Sequence, residues 1–136
     1  MRLTVLGSSS SGNCYLLTSG EGETLVLECG LRYESVQRWM NFETDGIVGC
    51  VVSHRHGDHA AHIGKFVGRG FEVYALRDVF ESGGITESAL RVFCRVVDFR
   101  KGYRIGGFGV YVIPMVHDCP CAGFVIEHRE MGRLLF

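Results

Sequence analysis

One stretch constrains this chain more than any other: an apolar run, Ile47 to Ser53, that leads directly into His54-Arg55-His56-Gly57-Asp58-His59-Ala60-Ala61-His62. The run has strand length and little polar interruption, the pattern of a strand covered on both faces, so it demands a layered fold. Four of the six histidines follow it within nine residues. The pattern H-x-H-x-D-H arises by chance in roughly one chain in a few thousand of this composition. Extended backbone projects His54 and His56 to the same side, where both imidazoles can reach one metal ion. Gly57 permits a bend, after which Asp58 and His59 can address a second ion. Imidazole with carboxylate suits Zn²⁺, and also Mn²⁺ or Fe. The bland alternative is a solvated loop opening a helix, with Asp58 near its N-terminus. Histidines packed beside a carboxylate serve no core, and metal binding is the better reading.

The rest of the composition sets bounds. The chain has 136 residues, the length of one ordinary domain, and residues 1–136 are read as a single domain, whole or truncated. Lys+Arg 14 against Asp+Glu 15 gives a net charge of −1, which argues against gripping nucleic acid by bulk electrostatics. The six cysteines are too sparse for a disulfide-stapled secreted scaffold, and Cys14, Cys29, Cys50 and Cys94 fall inside apolar runs. The first residues lack the apolar core of a signal peptide, and no run reaches membrane-span length. A reducing cytoplasm is therefore the expected compartment, with no membrane partner. Glycine, 19 of 136 residues, is about twice its usual share and implies many tight turns.

Alternation and turn residues predict strands at Leu3–Leu6, Tyr15–Thr18 and Thr24–Glu28, then a helix over Arg32–Phe42. Beyond the central strand come a helix at Ala60–Val67, a strand at Glu72–Leu76 and a short helix at Asp78–Ser82. From Arg91 onward the chain reads as β: Val92–Phe99, Tyr103–Ile105, Phe108–Val116, Gly123–His128 and Arg133–Phe136. Pro114 and Pro120 bracket an ordered turn. The expected class is α/β or α+β.

At His54-Arg55-His56-Gly57-Asp58-His59 the sequence resembles the metal motif of the metallo-β-lactamase superfamily. Gly7-Ser8-Ser9-Ser10-Ser11-Gly12-Asn13-Cys14 resembles its YycJ/WalJ-type branch of hydrolases. That branch carries a strand ending in Asp-x-Gly, matched here by Glu28-Cys29-Gly30 with Glu for Asp, and a later strand ending in a ligand histidine, matched by His117. The resemblance implies that His54, His56 and His117 ligate a first metal and that Asp58 and His59 ligate a second. Glu28 would sit beneath the site and orient a ligand imidazole.

It further implies an αββα sandwich of which this chain supplies about half, and a metal-dependent hydrolase using metal-bound hydroxide, with Zn²⁺ the first choice of ion. Asp58 could also orient the nucleophile. Phosphodiesters and nucleic-acid ends are the first substrate class; thioesters or lactones are an alternative. The family pattern also requires a metal-bridging carboxylate after the strand Arg133–Phe136, and none follows there. Asp118 or Glu127 are weak substitutes. A catalytically incomplete metal-binding fragment or assembly subunit is thus the other alternative. Half a sandwich would expose the inner face of its sheet, so self-association, a partner fragment or a rearranged C-terminal strand is expected to cover it.

The remaining candidates are weaker. Cys119-Pro120-Cys121 lacks the usual C-x₂-C spacing and reads as a wall of the cleft rather than a cysteine site. His62, one turn past the motif, reads as a half-buried helix residue, and His128 as part of a solvated turn. Gly7 to Gly12 has P-loop glycine spacing, but Asn13 and Cys14 replace the required Lys and Ser/Thr, leaving a tight turn between strands.

Overall fold

The structure is a computed structural model covering residues 1–136. The chain opens as an antiparallel meander of β1 (Arg2–Ser9), β2 (Gly12–Thr18) and β3 (Thr24–Leu27). Helix α1 (Tyr33–Trp39) returns it to β4 (Ile47–Val52), which runs parallel to β3 with Val26 beside Cys50 and Leu27 beside Val51. Short helices α2 (Gly57–Ala60) and α3 (Ile63–Gly68) precede β5 (Val73–Ala75). Helices α4 (Arg77–Ser82) and α5 (Glu87–Val92) precede β6 (Cys94–Val96). Four antiparallel strands follow: β7 (Gly102–Ile105), β8 (Phe108–Pro114), β9 (Ala122–His128) and β10 (Gly132–Leu135). The first six strands form one sheet in sequence order, and the last four a second in the order β10-β9-β8-β7.

The apolar pattern explains why the two sheets face each other. Along β8, Phe108, Val110 and Val112 are buried while Tyr111 is exposed; along β9, Phe124 and Ile126 are buried while Glu127 is exposed. That period of two gives the second sheet one apolar face. It joins Leu25, Val51 and Val52 of the first sheet, and Val36, Phe66 and Phe80 of the helices, in one cluster of 32 buried residues. Each large apolar side chain buried there contributes about 1.5–3 kcal/mol. The expected mixed α and β architecture is present. Of the covers expected for the inner face, the chain supplies one itself: the C-terminal strands β7–β10 form a second facing layer rather than an extension of the first.

Three local differences have physical causes. The strand expected at Val92–Phe99 contracts to β6 because residues 87–92 form α5. Thr86 caps it, its Oγ1 accepting from the Ala89 amide at 3.4 Å, with Glu87 in the first turn and Arg91 in the last. The helix expected over Ala60–Val67 breaks into α2 and α3. Gly57 begins α2 with open space around it and an ordinary φ, so the bend there does not depend on glycine. No helix is long and apolar enough to cross a membrane.

Candidate metal centre

Three chain segments meet at one end of the sandwich. Because β3 and β4 are parallel neighbours, their carboxyl ends lie side by side, the usual location of ligand sites in such sheets. Glu28 follows β3, and Ser53 and His54 follow β4. The third segment is the β8–β9 loop, residues 115–121. The Met115 amide donates to the Cys121 carbonyl across its base, and the Ala122 amide donates to the Ser53 carbonyl, both at 2.9 Å. That second bond ties the loop of one sheet to the strand end of the other.

Four imidazoles converge there. The His54 ring centroid lies 4.8 Å from that of His56, 4.2 Å from His59 and 4.5 Å from His117; His56 and His117 are 5.0 Å apart. His54 is buried, and its Nδ1 lies 2.8 Å from Ser53 Oγ. Burial, then the neighbouring His59, His117 and His56 rings, push its pKa down to about 4. At neutral pH it is an uncharged ring with a lone pair available, the state in which imidazole binds a metal.

Asp58 and His59 are held from below. Asn13 Nδ2 lies within donating distance of Asp58 Oδ2 at 3.1 Å, and of the Asp58 and Ser9 carbonyls at 3.2 Å. Asp58 Oδ2 is 3.3 Å from His59 Nε2. Glu28 is 1% exposed and adopts φ of 70°, a left-handed turn that aims its carboxylate up under the site. Its Oε2 accepts from the Ser53 amide at 3.2 Å, and its Oε1 lies 3.2 Å from His59 Nδ1. That nitrogen is buried and off the ideal hydrogen-bond line, but the carboxylate still pushes the His59 imidazole above its usual range. The Cys29 amide donates to the His59 carbonyl at 2.7 Å, and the His62 amide to the Cys29 carbonyl at 3.0 Å. Gly30 lets this clip close: a Cβ there would stand 1.8 Å from the Asp58 carbonyl oxygen.

From the β8–β9 loop come His117, Asp118 and Cys119. Asp118 Oδ1 accepts from His117 Nδ1 and lies 3.4 Å from His56 Nε2. The His117 hydrogen bond holds this carboxyl below its usual range. Donor atoms from His56, His117, Asp118 and Cys119 lie within 4.8 Å of one another. Nitrogen, carboxylate and thiol donors facing one point fit a divalent ion of the zinc class.

The structure thus brings His54, His56, Asp58, His59, His117 and Glu28 together. It also adds Asn13, at the start of β2 just after the Gly/Ser turn, and turns the thiol of Cys119, expected as cleft wall, inward. His62 is half-buried and its ring stands outside the convergent four. The reading of His128 in a solvated turn is corrected: it is 6% exposed, stacks on Phe108 at 4.9 Å, and its Nδ1 accepts from the Glu130 amide. Glu127 pairs with Arg133 on the outer face of the second sheet, away from the core. Residues 10–11 form the tight turn between β1 and β2, with Ser9 paired to Gly12.

Residues 9–136 match the family model described as Metallo-beta-lactamase superfamily. The chain belongs to that superfamily. Most metallo-beta-lactamase superfamily members are metal-dependent hydrolases. A search of curated protein sequences returned no match. Among solved structures, the metallo-beta-lactamase fold protein YhfI from Bacillus subtilis aligns at a TM-score of 0.73 and 17% identity, over 98% of this chain and 60% of its own. The short form of human tRNase Z aligns at 0.72 and 13% identity, over 100% of this chain and 68% of its own. A diphosphatase of the PhnP family aligns at 0.66 and 14% identity, over 92% of this chain and 62% of its own. At these identities the likeness is one of fold. The chain spans 60% of the length of the Bacillus protein.

Proposed function

We propose that the chain is a metal-dependent hydrolase of phosphodiesters, acting at nucleic-acid ends or on small phosphodiesters, within the YycJ/WalJ-type branch. The observation that carries this reading is the convergence of the His54, His56, His59 and His117 rings beside Asp58, with His54 held uncharged. His54, His56 and His117 would hold a first ion, and Asp58 and His59 a second. Zn²⁺ is the proposed metal, with Mn²⁺ or Fe as alternatives. When bound, such ions activate water and neutralise charge developing on phosphate oxygens. Asp58, its carboxylate held by Asn13, orients the attacking water. Glu28 fixes the His59 ring from beneath. Two of the fold neighbours, the tRNase and the diphosphatase, carry names of bond cleavage at phosphorus, which supports a phosphate-containing substrate. All six cysteines are free thiols, which supports a reducing cytoplasm as the compartment.

One observation favours a second reading. Beside Asp58 and His59, the only further carboxylate in contact is Glu28, already engaged with the Ser53 amide. A site with one firmly held ion would make this an incomplete metal-binding fragment. Metal content per chain, measured with turnover of bis-p-nitrophenyl phosphate against thioester and lactone substrates, decides the matter. Bound metal with phosphodiester turnover, lost in His56→Ala and Asp58→Asn, supports the hydrolase. One ion without turnover supports the fragment; thioester or lactone turnover alone shifts the substrate class; absence of bound metal overturns all of these.

A further inference from the structure

We propose that Cys119 is a thiolate ligand in the metal centre, completing the set made by His56 and His117; the inference rests on the metal-binding reading above. Cys119 Sγ lies 3.9 Å from His56 Nε2 and 3.9 Å from His117 Nδ1. An ideal tetrahedral zinc, with nitrogen at about 2.0–2.1 Å and sulfur at about 2.3 Å, separates sulfur and nitrogen by about 3.6 Å. The observed gaps exceed this by only a few tenths of an ångström; binding through His117 Nδ1 requires the tautomer protonated on Nε2, so the Nδ1 hydrogen bond to Asp118 is given up to the metal.

Burial argues the same way. Cys119 is 8% exposed although both loop neighbours, Asp118 and Pro120, are exposed. The polar atoms within hydrogen-bond range of its sulfur are these two imidazole nitrogens. The loop positions it: the Met115–Cys121 bond closes the turn, and the Ala122–Ser53 bond seats the turn over the end of β4. Cys121 shares the turn but offers no atom to the convergent set.

On binding, the Cys119 thiol releases its proton to solvent as the sulfur–metal bond forms. With His54, His56 and His117 the ion would then have four protein donors, the count of a closed site, where catalytic sites keep one position for water. Cys119 therefore competes with the hydrolytic water for that position.

The test is cobalt substitution of the whole chain. Wild-type protein loaded with Co²⁺ is expected to show a thiolate-to-cobalt charge-transfer band in the near ultraviolet. Cys119→Ser is expected to lose the band, keep Co²⁺ on its histidines and bind it at least about tenfold more weakly. Cys121→Ser is expected to keep the band. Cobalt uptake by wild type without the band, or a band unchanged in Cys119→Ser, overturns the thiolate assignment while leaving the histidine site intact. No cobalt uptake by wild type overturns both readings. Wild-type alkylation checks the assignment without any variant: zinc is expected to protect Cys119 from iodoacetamide, with labelling restored by a chelator. Equal labelling with and without zinc counts against it.

Discussion

The Glu28 carboxylate stands 3.2 Å from His59 Nδ1 and receives the Ser53 amide on its other oxygen. One buried side chain therefore braces both a histidine of the site and the strand end that launches His54 and His56. Glu28→Gln retains the shape and an acceptor for Ser53 but removes the charge. Metal affinity is expected to fall about 10–100-fold, the range for loss of a group that orients a ligand. Glu28→Ala also strands the Ser53 amide and is expected to cost a further 1–3 kcal/mol or so of stability. Chelator competition measures the first effect and urea unfolding the second.

Asn13 makes a parallel prediction on the other side of the loop. Its amide reaches the Asp58 carboxylate and the Asp58 and Ser9 carbonyls, and it is 8% exposed. Asn13→Ala leaves those acceptors without their donor and should cost about 1–3 kcal/mol. The urea midpoint is expected to drop with an unchanged slope. An equal loss of metal affinity would place the effect on Asp58, whereas unchanged affinity would make Asn13 a purely structural brace.

Much of this was legible in the sequence. His54-x-His56-x-Asp58-His59 at the end of a doubly buried strand announced itself, since residue type and strand period both act locally. His117 stands 63 residues after His54, and it meets His54 through the packing of the two sheets, tied at this end by the Ala122–Ser53 bond. Asn13, at the start of β2, and the inward thiol of Cys119, legible only as cleft wall, take their roles from long-range packing that local pattern does not carry. Alternation marks the strands of the second sheet and their apolar face but leaves open which of several covers that face meets, so its packing on the first sheet is not fixed locally. Helix α5 was lost to the β-rich stretch after it, although Thr86 and Glu87 carried a readable start signal.

Gly30 gives a steric prediction. Its Cα approaches the Asp58 carbonyl so closely that a methyl group would meet oxygen at 1.8 Å and the Asn13 amide nitrogen at 2.6 Å. Both obstacles are backbone and cannot swing aside as a side chain would. Gly30→Ala should therefore push α2, which carries Asp58 and His59, off the end of β3, costing about 3 kcal/mol or more. Gly57→Ala, with nothing within 4 Å, is the control and should leave stability nearly unchanged. Thermal and urea unfolding of the pair check this, and equal behaviour of the two variants would refute the steric account.

In metal-free protein, His54 and His59 should titrate in opposite directions. Burial and its neighbouring imidazoles hold His54 down to about 4, whereas the Glu28 carboxylate raises His59 above 6.5. Between pH 6.5 and 4 the unfolded chain holds a proton at position 54 that the folded chain refuses, so this histidine lowers stability as pH falls through that window. His59 has the opposite sign. Its contribution is complete below 6.5 and disappears as pH rises through its folded value. Imidazole proton shifts followed by NMR between pH 3.5 and 9 resolve the two rings, and Glu28→Gln should return His59 toward its ordinary value while leaving His54 low. Co-titration of both rings near 6.5 would mean that the histidines do not converge in solution as they do in the structure.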